Sequence, residues 1–183
     1  MVVLFGESSV YLGVLSAMGL ARYGGINKSS AVPLVERLFT QMSTADDPSP
    51  PGVVIANPGE LYWWPGGKRG VTFADRVALP RESAVHMPPD FDPRINCIPG
   101  NRTEADHVSY IFEHILKNKI GGKVDVIAVG NMADVVEHYF NKCETWDKMG
   151  PMLGSMVILG GFYHASQFRC DGFARFIKEV HSP

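Results

Sequence analysis

VDVIAVGNMAD, Val124–Asp134, is the stretch on which the reading of this chain turns. Six apolar-rich residues, Val124–Val129, have the length and β-branched content of a buried strand, and Gly130 ends the run. A helical pattern follows at once. A strand that passes through glycine directly into a helix has the layout of a nucleophile elbow, in which G-x-S-x-G lifts a serine onto a strained turn. Here the five positions read Gly130, Asn131, Met132, Ala133 and Asp134. In that register Met132 takes the nucleophile's place, and a thioether cannot be activated to attack a carbonyl. Asp134 stands where the second glycine belongs. The elbow is therefore expected to be vestigial, with no catalytic residue. Asn131 is expected as the helix N-cap and Asp134 as a favourable charge in its first turn.

Strand and helix patterns alternate on both sides of this stretch. Val2–Phe5 and Val53–Asn57 read as further buried strands, and Met156–Leu159 as another. Val32–Ser43 carries Val35, Leu38, Phe39 and Met42 at helical spacing, and a proline-rich loop, Thr44–Gly52, ends it. Thr103–Lys119 has the apolar stripe Val108, Ile111, Phe112, Ile115 and Leu116, with Asn101 or Thr103 as cap. Helices are also expected near Met132–Cys143 and Gly172–Glu179. Leu61–Trp64, Pro65-Gly66-Gly67 and Gly70–Phe73 predict a hairpin, and Arg81–Pro99 a long ordered loop. Strands separated by helices predict a single α/β domain over residues 1–183. Its largely parallel sheet would carry helices on both faces, as a three-layer sandwich.

Composition narrows the possible functions. The chain has 183 residues, 45% of them hydrophobic, enough for a sizeable core and too apolar for a disordered segment. A net charge of −2 gives no whole-chain field for nucleic acid. Cys97, Cys143 and Cys170 are odd in number and scattered, which suits reduced thiols in the nucleus or cytoplasm rather than a disulfide framework. The apolar N-terminus lacks a basic lead and is broken by Glu7, so neither a signal peptide nor a membrane span is expected.

NPGELYWWPGGKRGVTFADRVALPR (Asn57–Arg81), PRINCIPGN (Pro93–Asn101), EADHVSYIFEHIL (Glu104–Leu116) and VDVIAVG follow one another in an unusual order. Together they resemble the Argonaute-binding protein 2 domain, known from a fungal partner of Argonaute and from the C-terminal region of fungal class II histone deacetylases. LARYGG (Leu20–Gly25) and FARFIKEV (Phe173–Val180) fit the same family. The resemblance implies an α/β-hydrolase-like fold used as a non-catalytic binding or dimerisation scaffold in heterochromatin and RNA silencing. Argonaute or a histone deacetylase complex would be the partner, and a homodimer is expected. It also implies a further strand after the last helix, so the sandwich is expected to be truncated at its C-terminal side.

An esterase would use Ser8 or Ser155 with His164. Phe5-Gly6-Glu7-Ser8 is similar to the G-D-S block of the SGNH esterases, and Gly130-Asn131 to their G-x-N-D block. Glu7 and Met132 stand where those blocks have aspartate. A pocket under Met132 and Phe162 would suit a small ligand. His107, His114 and His138 form no dense ligand set and no HExxH, so no metal or other cofactor is expected. The strongest binding feature is Tyr62, Trp63 and Trp64 beside Lys68 and Arg69. Aromatics beside cations suit a protein hot spot, and more weakly a nucleic-acid strand. The competing reading is a hairpin whose tryptophans pack beneath its own loop.

Overall fold

The computed structural model describes residues 1–22, 24–81, 83, 85–87, 91–117, 122–161 and 167–180. Its elements in chain order are β1 (Val2–Phe5), α1 (Ala17–Arg22), α2 (Ile26–Ser29), α3 (Ala31–Phe39), β2 (Val53–Ala56), β3 (Tyr62–Trp64) and β4 (Arg69–Val71). Then come α4 (Pro93–Asn96), α5 (Glu104–Tyr110), β5 (Val124–Val129), α6 (Asn131–Phe140), α7 (Cys143–Met149), β6 (Leu153–Leu159) and α8 (Asp171–Val180). Four strands form a parallel sheet in the order β2-β1-β5-β6, and β3-β4 is a separate antiparallel hairpin. The α/β architecture with a parallel sheet is therefore as the sequence predicts.

Alternation along β5 divides the core. Val124, Val126 and Ala128 are buried on one face with Val3, Phe5 and Met156. That face packs against Val108, Phe112, Met132, Val136, Phe140 and Phe173 from the helices above it. On the other face Val2, Leu4 and Ile127 meet Ala31, Leu34, Val35 and Leu38 of α3. The two layers are unequal. Val157 and Leu159 of β6 are 45% and 51% exposed, beyond the reach of the α3 cluster. The expected cover on both faces is thus complete on one side and partial on the other, among the described residues.

Several elements differ from the sequence reading. The helix expected near Met132–Cys143 is α6, ending at Phe140; α7 follows as a further helix, and α4 interrupts the loop expected over Arg81–Pro99. Of the two proposed caps, Thr103 is the one used. Its Oγ1 accepts from Asp106 N at 3.2 Å, and Asp106 Oδ2 accepts from Thr103 N at 3.2 Å, a reciprocal capping box. The helix beyond Tyr110 widens into a π turn, Ile111–Leu116, closed by Lys117 N donating to Phe112 O at 3.1 Å. Widening a turn shifts the helical register, and Ile111, Phe112 and Leu116 are all buried within it. A periodic apolar stripe does not report such a shift.

Candidate functional site

In an open parallel sheet the strands' carboxyl ends are where ligands gather, because the loops leave the layer there. Here β1 ends in Gly6-Glu7-Ser8 and β5 in Gly130. Gly130 has φ 63° and ψ −137°, a conformation that side chains rarely tolerate. A Cβ on Gly130 would also stand 2.6 Å from Glu7 Cγ. Its N–H donates to Leu159 O at 2.8 Å, which ties the turn to the end of β6.

This geometry corrects the elbow's register. The strained residue between strand and helix is Gly130, two positions before Met132. Met132 lies in the first turn of α6, is 0% exposed and belongs to the main core. Ala133 is buried beside it, and Asp134 is exposed in the first helical turn, as expected. The apex of the turn therefore presents no side chain. Sequence matching placed G-x-S-x-G on the only glycine available, whereas backbone conformation assigns that glycine to the nucleophile's place.

Asn131 is corrected as well. It is the first residue of α6, not its cap, and Gly130 in the cap position offers no side-chain bond. The Asn131 amide reaches the turn that follows β1 instead. Its Oδ1 accepts from Ser8 N at 3.1 Å, and its Nδ2 donates to Ser8 Oγ. Glu7 is occupied with the opening of α1: its carboxylate accepts from Ser16 Oγ and from Ala17 N, both at 2.9 Å. Ser8 lines a cleft of about 220 Å³ with Pro58, Gly59, Tyr62, Phe73, Phe91 and Arg102.

Ser155, the other serine considered, is not at this edge. It lies within β6 opposite Asp125, and its Oγ donates to Asp125 Oδ1 at 2.6 Å. It is therefore excluded as a partner for chemistry at the strand ends. His164 and Phe162, on which the triad and ligand-pocket readings drew, lie outside the described residues.

The aromatic and basic segment forms the β3-β4 hairpin, with Lys68 N donating to Pro65 O across the turn at 3.2 Å. Tyr62, expected from the sequence to be a binding residue, is only 4% exposed and packs with Val71 and Leu79. Trp63 and Trp64 are half-buried. The Trp64 indole lies directly under Gly66 and Gly67, where no Cβ would fit, so this tryptophan does pack beneath its own loop. Lys68 and Arg69 are exposed, with the Arg69 guanidinium 5.7 Å from the Trp64 ring centre. Outward presentation passes to a residue outside the expected set. Phe73 is 62% exposed, and Arg76 covers its ring at 4.7 Å. Its exposure was hidden because an aromatic just after a strand reads as core.

His107 is a structural residue. Its Nε2 accepts from Asn57 N at 3.2 Å, so its Nδ1 carries the proton that faces Asn101 Oδ1 at 2.5 Å. Burial lowers its pKa to about 4, which keeps the ring neutral. The ring joins the end of β2 to the start of α5. His114 stacks against Tyr110 with ring centres 5.1 Å apart, and His138 donates from Nδ1 to Asp134 O at 2.7 Å. Among the described residues, no group of three His, Cys, Asp or Glu side chains is placed to hold a metal ion. Nor is any described helix long and apolar enough to cross a membrane.

A four-stranded parallel sheet with helices packed around it defines a protein of the α/β class. More narrowly, the chain belongs to the Arb2 domain family, whose model matches residues 1–181. No curated protein and no solved structure matches the chain.

Proposed function

We propose that this domain is a non-catalytic protein-interaction scaffold of heterochromatin or RNA silencing, in the nucleus or cytoplasm. Its partner would be an assembly containing Argonaute or a histone deacetylase, and it would self-associate as a dimer. The observation that carries this reading is Gly130: the strained turn at the sheet's edge is retained, and the position that would bear a nucleophile has no side chain. Membership of the Arb2 domain family supports an interaction role. The exposed groups beyond the hairpin supply a surface for it. Phe73, Val77, Phe91 and Ile95 expose apolar area beside Arg69 and Arg76, the residue types that dominate binding hot spots.

The test is binding of purified candidate complexes by the wild type and by Phe73→Asp, with light scattering at several concentrations for self-association. Loss of about tenfold or more in affinity on substituting Phe73 is expected for a hot-spot aromatic. Unchanged binding would remove the hairpin surface from the proposal.

One observation favours a second reading, an esterase with Ser8 as nucleophile and His164 as base. Ser8 is held by Asn131 at the rim of a cleft on the sheet's carboxyl edge. Hydrolysis of a short-chain nitrophenyl ester, abolished in Ser8→Ala, would establish it. A rate equal to that of buffer would leave the scaffold reading standing.

A further inference from the structure

Two of the three cysteines meet where α7 and α8 begin. Cys143 is the first residue of α7 and is exposed, whereas Cys170 stands immediately before α8 and is 3% exposed. The two helix starts approach closely. A Cβ on Gly172 would stand 2.3 Å from Trp146 Nε1, and the Trp146 ring lies 5.4 Å from that of Phe173 and 5.5 Å from that of Phe176. Asn141, just ahead of α7, fixes the chain that leads into α8. Its Oδ1 accepts from Arg169 N at 2.7 Å and from Cys170 N at 3.3 Å, and its Nδ2 donates to Gln167 O at 3.0 Å. Cys143 Sγ lies 3.9 Å from Arg169 O, the carbonyl joined directly to Cys170 N, and its thiol meets that of Cys170. The packing therefore holds two thiols side by side, one open to solvent and one enclosed. Cys97 is elsewhere, bridged to Tyr62 beside the hairpin.

We infer that Cys143 and Cys170 are a redox-active pair, which a low-molecular-weight disulfide such as oxidised glutathione converts reversibly into an intramolecular disulfide. The Cys143 thiolate attacks one sulfur of the small disulfide and expels the other half as a thiolate. The Cys170 thiolate then attacks the Cys143 sulfur of the mixed disulfide and expels the second half. The two cysteines lose two electrons and two protons, and the small disulfide takes them up as two thiols. An odd, scattered set of cysteines speaks against a structural disulfide framework, not against a pair that packing brings together and that forms and breaks with redox conditions. The bond would fasten α8, whose Phe173 completes the main core, to α7. A hydrogen bond to the Cys170 sulfur, reinforced by the Asp147 and Asp171 carboxylates, holds the Cys143 thiol above its ordinary range. The exchange is therefore slow at neutral pH and quickens as pH rises.

The experiment equilibrates the protein in glutathione buffers from fully reduced to fully oxidised, quenches with an alkylating reagent, and reads intact and peptide masses. In oxidising buffer Cys143 and Cys170 are expected to be joined and to carry no glutathione, and dithiothreitol should return both to alkylatable thiols. The thermal midpoint should rise by about 5 °C or more on oxidation of the wild type, and not in Cys143→Ser. In Cys170→Ser the reaction should halt with glutathione on Cys143. Cys143→Ser changes an exposed position, so it answers the question if Cys170→Ser fails to fold. Alkylation of both Cys143 and Cys170 in the oxidising buffer would overturn the assignment, as would glutathione retained on wild-type Cys143 or a bond through Cys97. So would an oxidised midpoint at or below the reduced one. None of these outcomes touches the hairpin surface, so the two proposals fail separately.

Discussion

The junction of β5 with α6 and the β3-β4 hairpin are built from similar materials, an apolar run beside glycine, yet they are held in opposite ways. At the junction each apolar side chain is enclosed by elements distant in sequence. Phe140 meets Phe112, Tyr139, Trp146 and Phe173 with ring centres 5.0 to 6.3 Å apart. The hairpin is held mostly by its neighbours: Trp64 beneath Gly66 and Gly67, Arg69 over Trp64, Arg76 over Phe73. A close-packed core loses heavily when an atom is removed, because neighbours cannot collapse into the gap. A surface built from local contacts loses little, and its side chains remain free to meet another molecule. Substitutions should therefore cost stability at the junction and leave the fold nearly intact at the hairpin.

The largest expected effect is Phe140→Ala. Truncating this fully buried ring should cost about 3–5 kcal/mol, read from chemical denaturation. A loss below about 1 kcal/mol would end the claim that the junction is rigidly packed.

Next comes the pH dependence from His107, which bridges β2 and α5. Its folded pKa of about 4 lies below the ordinary value of 6.5, so the unfolded chain binds the proton more readily. The stabilisation is present in full above about pH 6.5 and is lost as pH falls towards 4, by about 2–3 kcal/mol. Denaturation across that range should show a shallower slope for His107→Gln than for the wild type. Identical slopes would mean that the ring is not held neutral in the fold.

Gly130→Ala should cost about 1–3 kcal/mol, since alanine there takes a positive φ and meets Glu7 Cγ. Part of that cost should disappear in a Glu7→Ala background, which separates crowding from backbone strain through a double-mutant cycle. Fully additive losses would assign the whole cost to the backbone.

The smallest effect is expected at the hairpin. Arg69→Ala should lower the thermal midpoint by no more than an exposed cation–π contact allows, below about 1 kcal/mol. A larger loss would show that the hairpin supports the core and is not a separate surface unit.

The elements that could be read directly are those whose cause is local. β5 was legible because six apolar-rich residues end at glycine, the start of α5 because Asn101 and Thr103 are both cap-forming residues, and the hairpin because Pro65-Gly66-Gly67 forms a turn. The site was legible only in outline. Ser8 and Asn131 pair across 123 residues, and no spacing in the chain announces that contact. Ser155 looked available from sequence, but the register of β6 against β5 sets it on Asp125.

The sequence by itself determined the alternation of strands and helices, the family resemblance and the presence of a strand-to-helix turn, because periodicity, capping and turn chemistry act over a few residues. Only the tertiary structure decided which residue occupies the apex of that turn, which aromatic faces outward, and that Cys143 meets Cys170. Each depends on backbone dihedrals and on contacts between elements far apart in the chain, and these exist only once the layers have packed.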